Sequence, residues 1–200
     1  MNGQDAFLEK LQAGDPAAFA QLVEANQRNV YNLALRMLNN PQEAEDVLQE
    51  TFLSAYKALP TFEGRSSLST WLYRIASNAS LMRLRRKQPE TTSIDEPLEL
   101  EEGDSLPRQF VDWSSVPEDE LLSEESRRVM DEAVAELPEG LRIVFILRDI
   151  QGLSTQEAGE ALELSESAVK TRLHRARLAL REKLSAYFAE RLQATKVKHA

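Results

Sequence analysis

The sequence predicts an all-α protein of two small helical domains joined by a flexible acidic linker. Three observations carry this reading. Aromatic residues make up 6 % of the chain, glycine occurs 7 times in 200 residues, and long β-branched runs are absent; that mixture suits helices better than sheets. Apolar residues recur at helical spacing behind strong helix starts. The middle of the chain then loses this period altogether. With 42 % hydrophobic residues, the chain can bury one medium core or two small ones.

The first domain spans residues 1–89. Asp15-Pro16 is a helix start, with Asp as N-cap and Pro at the first helical position. Phe19, Leu22, Val23, Val30, Leu33, Ala34, Met37 and Leu38 follow at helical spacing. Asn40-Pro41 opens a second helix, with Glu43 placed as a capping-box acid. Its apolar positions are Val47, Leu48, Phe52, Ala55 and Leu59, and Pro60 ends it. A polar loop follows, containing Gly64. A third helix carries Trp71, Leu72, Ile75, Ala79 and Met82 and closes on Arg83, Arg85, Arg86 and Lys87. The plain reading of these cations is that they complement the helix macrodipole.

Residues 90–118 form the linker. Pro97, Pro107 and Pro117 interrupt it, acids crowd it, and it cannot bury enough surface to fold alone. Phe110, Val111 and Trp113 are its apolar exceptions, and a Trp in a polar linker points to docking. From Glu90 to Glu120 there are eleven acidic residues and one basic residue, Arg108, a net −10 against −9 for the whole chain. The remainder is close to neutral and carries basic clusters on both flanks. The overall charge therefore does not exclude a nucleic-acid partner. In the free protein the linker is expected to screen those clusters as a DNA mimic.

The second domain, 119–200, is predicted to be a helix-turn-helix domain. Leu121, Leu122, Val129, Ala133 and Leu137 mark an amphipathic helix ended by Pro138, and 141–147 a short apolar helix. Leu153-Ser154-Thr155-Gln156-Glu157 is a capping box, and Ala158, Ala161 and Leu162 form a small-residue face behind it. Glu163-Leu164-Ser165 is a tight turn whose serine caps the next helix. There Val169, Leu173, Ala176 and Leu180 share one face, while Lys170, Thr171, Arg172, His174, Arg175 and Arg177 spread over the others. Helix, short turn and basic helix suit the major groove, with the early polar side chains on base edges. The bland alternative is a solvated basic face on a helical hairpin. The caps at both helices and the cations in the first turns favour DNA.

Other classes fall away. The chain has no cysteine, so disulfides, thiolate zinc sites and cysteine nucleophiles are excluded. Its two histidines, His174 and His199, lie far from any carboxylate-rich motif, and there is no Gly-rich phosphate loop. No cofactor, metal or enzymatic activity is expected. No apolar run approaches the roughly 20 residues of a membrane span, and residues 1–10 lack the order of a signal peptide. The expectation is a cytoplasmic protein without direct membrane insertion.

Four segments, in order, resemble the extracytoplasmic-function sigma factors of bacterial RNA polymerase. Ala44-Glu45-Asp46-Val47-Leu48-Gln49-Glu50-Thr51-Phe52 is similar to that family's polymerase-binding helix. Phe62-Glu63-Gly64, followed by Ser69-Thr70-Trp71-Leu72-Tyr73-Arg74-Ile75-Ala76-Ser77-Asn78, is similar to its −10 recognition and melting segment. Leu137-Pro138 with Val144, Phe145 and Arg148 resembles the opening of its C-terminal domain. Leu153 to Leu180 resembles its −35-reading helix-turn-helix.

The resemblance implies partners and roles. Asp46, Gln49, Glu50, Phe52 and Leu53 would grip the clamp of the large subunit of core polymerase, with the flap as a second polymerase contact. An apolar stripe beside a carboxylate row suits a basic helical partner; in the plainer reading Val47, Leu48 and Phe52 are core and the acids solvated. Phe62, Gly64, Arg65, Ser66, Trp71, Arg74 and Asn78 would act on −10 promoter DNA, with Arg83, Arg85 and Arg86 on its backbone. Trp71 could equally be core. Lys170, Thr171, Arg172, His174, Arg175 and Arg177 would read −35 DNA. An anti-sigma protein is the implied regulator. Three positions depart from the family pattern: Met82 where Asp or Asn is common, Glu63 where Arg is common, and His174 in place of a frequent aromatic. The rival reading is a helix-turn-helix regulator that acts without polymerase, with residues 1–89 as a sensing or dimerisation domain.

Overall fold

A computed structural model describes residues 3–87 and 124–198. The described residues contain helices and no strand. The acidic segment with Phe110, Val111 and Trp113, and the positions Leu121 and Leu122, lie outside the described residues.

Helix α1 (Gly3–Gln12) leads into α2 (Pro16–Leu38). As the sequence predicts, Asp15 caps α2: its Oδ1 accepts from Ala17 N at 2.8 Å and Ala18 N at 3.2 Å. Asn40 caps α3 (Pro41–Ala58) in the same way, accepting from Gln42 N at 3.0 Å and Glu43 N at 3.2 Å. Such caps satisfy backbone donors that the first turn leaves orphaned. Glu43 does not close the expected capping box. One of its oxygens pairs with Lys87, and the other is buried without a hydrogen-bond partner. After a 3-10 turn (Leu59–Thr61) and a loop, α4 (Leu68–Lys87) returns across α2 and α3. Val30, Leu33, Met37, Val47, Ala55, Leu59 and Leu72 fill the space between these helices.

The second group begins with α5 (Glu124–Ala135) and α6 (Glu139–Phe145). Instead of continuing as an α-helix to Leu147, α6 widens into a π-helical turn (Ile146–Ile150), marked by the five-residue bond from Gln151 N to Ile146 O at 2.9 Å. Helix α7 (Thr155–Leu162) and helix α8 (Glu166–Lys198) follow. The capping box of α7 is present in both directions: Glu157 N donates to Ser154 Oγ at 3.1 Å, and Ser154 N donates to Glu157 Oε2 at 2.7 Å. Ser165 caps α8 by accepting from Ala168 N at 3.2 Å. Val169, Leu173, Ala176 and Leu180 do share the buried face of α8, packed with Ile143, Ile146 and Leu147.

The turn between α7 and α8 depends on Gly159. A Cβ there would stand 2.8 Å from the Leu164 carbonyl oxygen, which itself accepts nothing from Gly159 but closes over it as Leu164 N donates to Gly159 O at 2.9 Å. Only glycine lets the chain reverse this tightly.

The two groups of helices also meet. α4 lies against α7, and α2 against α5 and α6. Arg142 is the central polar link: its Nη1 donates to the Met37 carbonyl at 2.8 Å, while Nη2 and Nε reach the Leu137 carbonyl at 2.8 and 3.2 Å. Burial lowers the pKa of this guanidinium, and Glu139 opposes the shift.

Candidate nucleic-acid interface

Three surfaces hold the residues singled out from the sequence. The first is on α3. Asp46, Gln49 and Glu50 are exposed, and Leu53 is 62 % exposed, so a carboxylate row does run beside an apolar side chain. Phe52 points the other way. It is buried, edge-on to Phe19 with ring centroids 6.5 Å apart. Tyr56, which the sequence reading passed over, stands 51 % exposed and edge-on to Phe19 at 5.0 Å. It lies three residues after Leu53, hence on the same face. That spacing was the signal that could have found it.

The carboxylates of α3 are already engaged from within the chain. Arg83 Nη1 sits 3.3 Å from Asp46 Oδ2, Arg83 Nη2 sits 3.1 Å from Glu50 Oε2, and Lys87 pairs with Glu43. The acids at 43, 46 and 50 and the cations at 83 and 87 thus form a ladder joining α3 to the end of α4. Arg83 is turned toward α3, away from Arg85 and Arg86, which are exposed.

The second surface is the 62–67 loop with α4. Ser67 caps α4 by accepting from Thr70 N at 3.0 Å. Gln12 Nε2 donates to the Phe62 carbonyl at 2.8 Å, and the Phe62 ring meets Trp71 at 4.7 Å, tilted by 42°. Trp71 is half-buried, so part of it is packing and part faces out. Gly64 takes φ +69 at the loop's bend. Glu63 is paired with Arg65. Ser66 is half-buried, its hydroxyl 3.4 Å from the Ser67 carbonyl. Ser69 donates to Asn26 Oδ1 at 2.8 Å, and the buried Asn26 amide donates back to Leu22 O at 2.8 Å. This polar tie fixes the start of α4, and the apolar period gave no sign of it. Arg74, Asn78, Met82 and Arg86, four residues apart, form one exposed row along α4. Arg74 is held at its near end by Glu163.

The third surface is the start of α8. Lys170 and His174 are exposed, and Thr171 lies half-exposed between them. Lys170 faces Glu166 of its own helix at 3.7 Å. Arg172 is half-buried with Nη1 over Gly140, and Arg175 is half-buried. Arg177 is bound bidentately by Asp149 of the π-helical turn, Nε to Oδ2 at 2.8 Å and Nη2 to Oδ1 at 2.7 Å. That bond raises the Arg177 pKa. Arg177 therefore braces α8 against the turn, while Lys170, Thr171 and His174 form the outward row.

Among the described residues, no helix is long and apolar enough to cross a membrane, and no cluster of His, Cys, Asp and Glu could hold a metal ion.

Comparison with known proteins gives a consistent result. Residues 22–90 match the family described as Sigma-70 region 2, and residues 127–180 match Sigma-70, region 4. The chain is 38 % identical over 177 residues to the ECF RNA polymerase sigma factor SigW of Bacillus subtilis (strain 168), covering 88 % of this chain and 94 % of that protein. It is 34 % identical over 187 residues to the RNA polymerase sigma-H factor of Pseudomonas aeruginosa, covering 92 % and 95 %. The solved structure of CnrH in complex with the cytosolic domain of CnrY aligns with a TM-score of 0.65 at 27 % identity, covering 90 % of this chain and 96 % of that one.

Proposed function

The chain belongs to the sigma-70 family, in its extracytoplasmic-function branch, and on that premise we propose which of its surfaces perform each step of initiation. It is an alternative sigma factor that binds core RNA polymerase and directs promoter-specific transcription. Acting as a regulator without polymerase is the less favoured reading, because the matches to sigma regions cover both halves of the chain in order. The observation that carries the assignment of surfaces is their separation. The exposed apolar and carboxylate face of α3, the row on α4 and the row on α8 are three distinct faces.

Residues 1–89 take up polymerase and act at the −10 element, 90–118 link, and 119–200 read the −35 element. On α3, Gln49, Leu53 and Tyr56 meet the polymerase clamp, with Asp46 and Glu50 presented by Arg83. On α4, Asn78 engages a base edge of the opened strand and Arg74, Arg85 and Arg86 hold its backbone. Phe62, Gly64, Arg65, Ser66 and Trp71 shape the loop beside it. Unstacking a base costs a few kcal/mol, which those contacts must offset. On α8, Lys170, Thr171, His174 and Arg175 enter the major groove, and Arg172 and Arg177 brace them. The protein works in the cytoplasm, catalyses nothing on its own, and is held in check by an anti-sigma protein.

Transcription in vitro tests this. Purified protein added to core polymerase on a promoter library should yield a discrete set of start sites. Failure to bind core polymerase, or transcripts without sequence preference, would overturn the reading.

A further inference from the structure

The end of α4 divides its side chains among three directions. Leu81 and Leu84 are partly buried and packed against the core. Arg83 and Lys87 turn to the carboxylates of α3. Met82, Arg85 and Arg86 face outward. Met82 is the misfit of the three. It is apolar and 53 % exposed, with Asn78 one turn before it and Arg85 and Arg86 one turn after. Among the described residues, the other exposed large apolar side chains come in pairs. Leu53 and Tyr56 share a face of α3, and Met130 and Ile150 line one cavity between α5, the π-helical turn and α8. Met82 instead stands in a row of polar and cationic side chains. Since Leu81 and Leu84 carry the packing of this turn, the fold does not account for it.

We propose that Met82 reads the C5-methyl group of a thymine in the opened −10 DNA, a role that rests on the assignment of α4 to that DNA. A lone exposed apolar side chain is ordinary on a protein surface; the place of this one within the row is what gives it an occupant. Residues four apart on the row stand about 6 Å from each other along the helix axis. Stacked bases are about 3.4 Å apart, so Asn78 and Met82 engage different nucleotides. Arg85 and Arg86 supply charge for the phosphate beside the second of these. The chemistry of the occupant follows from the thioether. It has no donor and only a weak acceptor, so it cannot pair with the polar edge of a base. The thymine methyl is the apolar group that base edges present, and the unbranched Met side chain adapts its shape to such a contact. Cytosine in the same place would set its N4 amino group, a donor that needs a partner, against an apolar side chain. Met82 therefore adds a preference for thymine at one position beside the base that Asn78 takes.

Base analogues that differ by the methyl alone test this. The full chain is bound to core polymerase and measured by competition binding on pre-opened templates carrying a promoter recovered from the library. Each thymine around −10, on either strand, is replaced in turn by deoxyuridine, and each cytosine by 5-methylcytosine. Met82→Gln keeps the side-chain length and the helix propensity and removes the apolar end; Met82→Leu keeps an apolar end. With wild type, deoxyuridine at one position should weaken binding about three- to fivefold, the worth of one buried methyl. Where that position holds cytosine, 5-methylcytosine should strengthen binding by the same factor. Met82→Gln should bind the methylated and unmethylated bases alike, and Met82→Leu should keep most of the difference. Discrimination that survives Met82→Gln, a loss in Met82→Gln that ignores the methyl, or no methyl effect at any position would each overturn the proposal. Asn78→Ala checks the premise in the same assay. If it binds the opened template as tightly as wild type, the assignment of α4 to −10 DNA fails. If it weakens binding while Met82→Gln leaves methyl discrimination unchanged, the role of Met82 fails and that assignment stands.

Discussion

The cations at the end of α4 and those at the start of α8 look equivalent in sequence, yet the fold uses them differently. Arg83 and Lys87 turn back onto Asp46, Glu50 and Glu43 of the neighbouring helix. Lys170 and His174 face outward from α8. Even within α8 the pattern divides, because Arg177 is committed to Asp149. A basic cluster is therefore not one functional unit. What each cation can do is set by the carboxylates the fold brings within reach, and single substitutions test this one residue at a time.

The largest effect should come from the turn that aims the outward row. In most helices Gly→Ala stabilises, because alanine has the better helix propensity. At Gly159 the added Cβ would meet the Leu164 carbonyl at 2.8 Å, a contact with backbone that cannot swing away. Gly159→Ala should lower stability by about 1–3 kcal/mol in urea unfolding and abolish −35 recognition. A variant as stable as wild type would show that the turn relaxes and that α8 is not aimed by it.

On α8, Arg175→Ala should cost about 1–3 kcal/mol and relax preference at one −35 position. Lys170→Ala should weaken binding to all sequences and reduce the salt slope by about one. Binding isotherms on a −35 library at several salt concentrations distinguish the two. Equal, sequence-independent losses would reduce Arg175 to another phosphate contact.

On α4 the same comparison predicts that neighbouring arginines separate. Arg83→Ala should cost about 0.5–1 kcal/mol of stability and weaken binding to core polymerase, with the DNA salt slope unchanged. Arg86→Ala should leave stability and polymerase binding intact and lower the salt slope. If Arg83→Ala lowered the slope as well, the ladder to α3 would not be what occupies it.

These outcomes bear on what the sequence could reveal. Local signals were legible: Asp15-Pro16 and Asn40-Pro41 cap where the spacing predicts, the Ser154 and Glu157 box closes, and 169, 173, 176 and 180 line one buried face. Each depends on residues within a turn or two of one another. The partners of Arg74, Arg83 and Arg177 were not legible. Their carboxylates lie 89, 37 and 28 residues away, and nothing local selects among 33 acids. Phe52 and Leu53 are adjacent residues on a helix, so they must diverge by about 100°. The plainer reading puts Phe52 in the core, where it lies; the apolar stripe does not say that Leu53 and Tyr56 stay outside. The π-helical turn at 146–150 was invisible for a related reason: it rewinds an apolar run without changing its composition.

The smallest predicted effect isolates the capping box from the rest of the recognition unit. The backbone N–H of Ser154 bonds the Glu157 carboxylate and holds its pKa below the ordinary value, with the Ser154 side chain contributing next and Arg148 in the same direction; burial opposes them weakly. A carboxyl whose pKa is depressed on folding binds its proton more readily in the unfolded chain. Its stabilising contribution is therefore fully present above the unfolded value, about 4.3, and fades as pH falls through the lower folded value. Glu157→Gln keeps an acceptor for the Ser154 N–H but removes the charge. Urea unfolding at neutral pH should show the variant slightly less stable than wild type. The gap should narrow as pH falls below the unfolded value and on through the lower folded value, where the Glu157 carboxyl takes up its proton. The outward row on α8 begins beyond Ser165, whose own cap is independent of Glu157, so DNA affinity at neutral pH should hold. A stability gap that stayed constant into acid would mean that Glu157 supports α7 through packing or hydrogen bonding alone, and a loss of DNA affinity would mean that the start of α7 also positions the recognition helix.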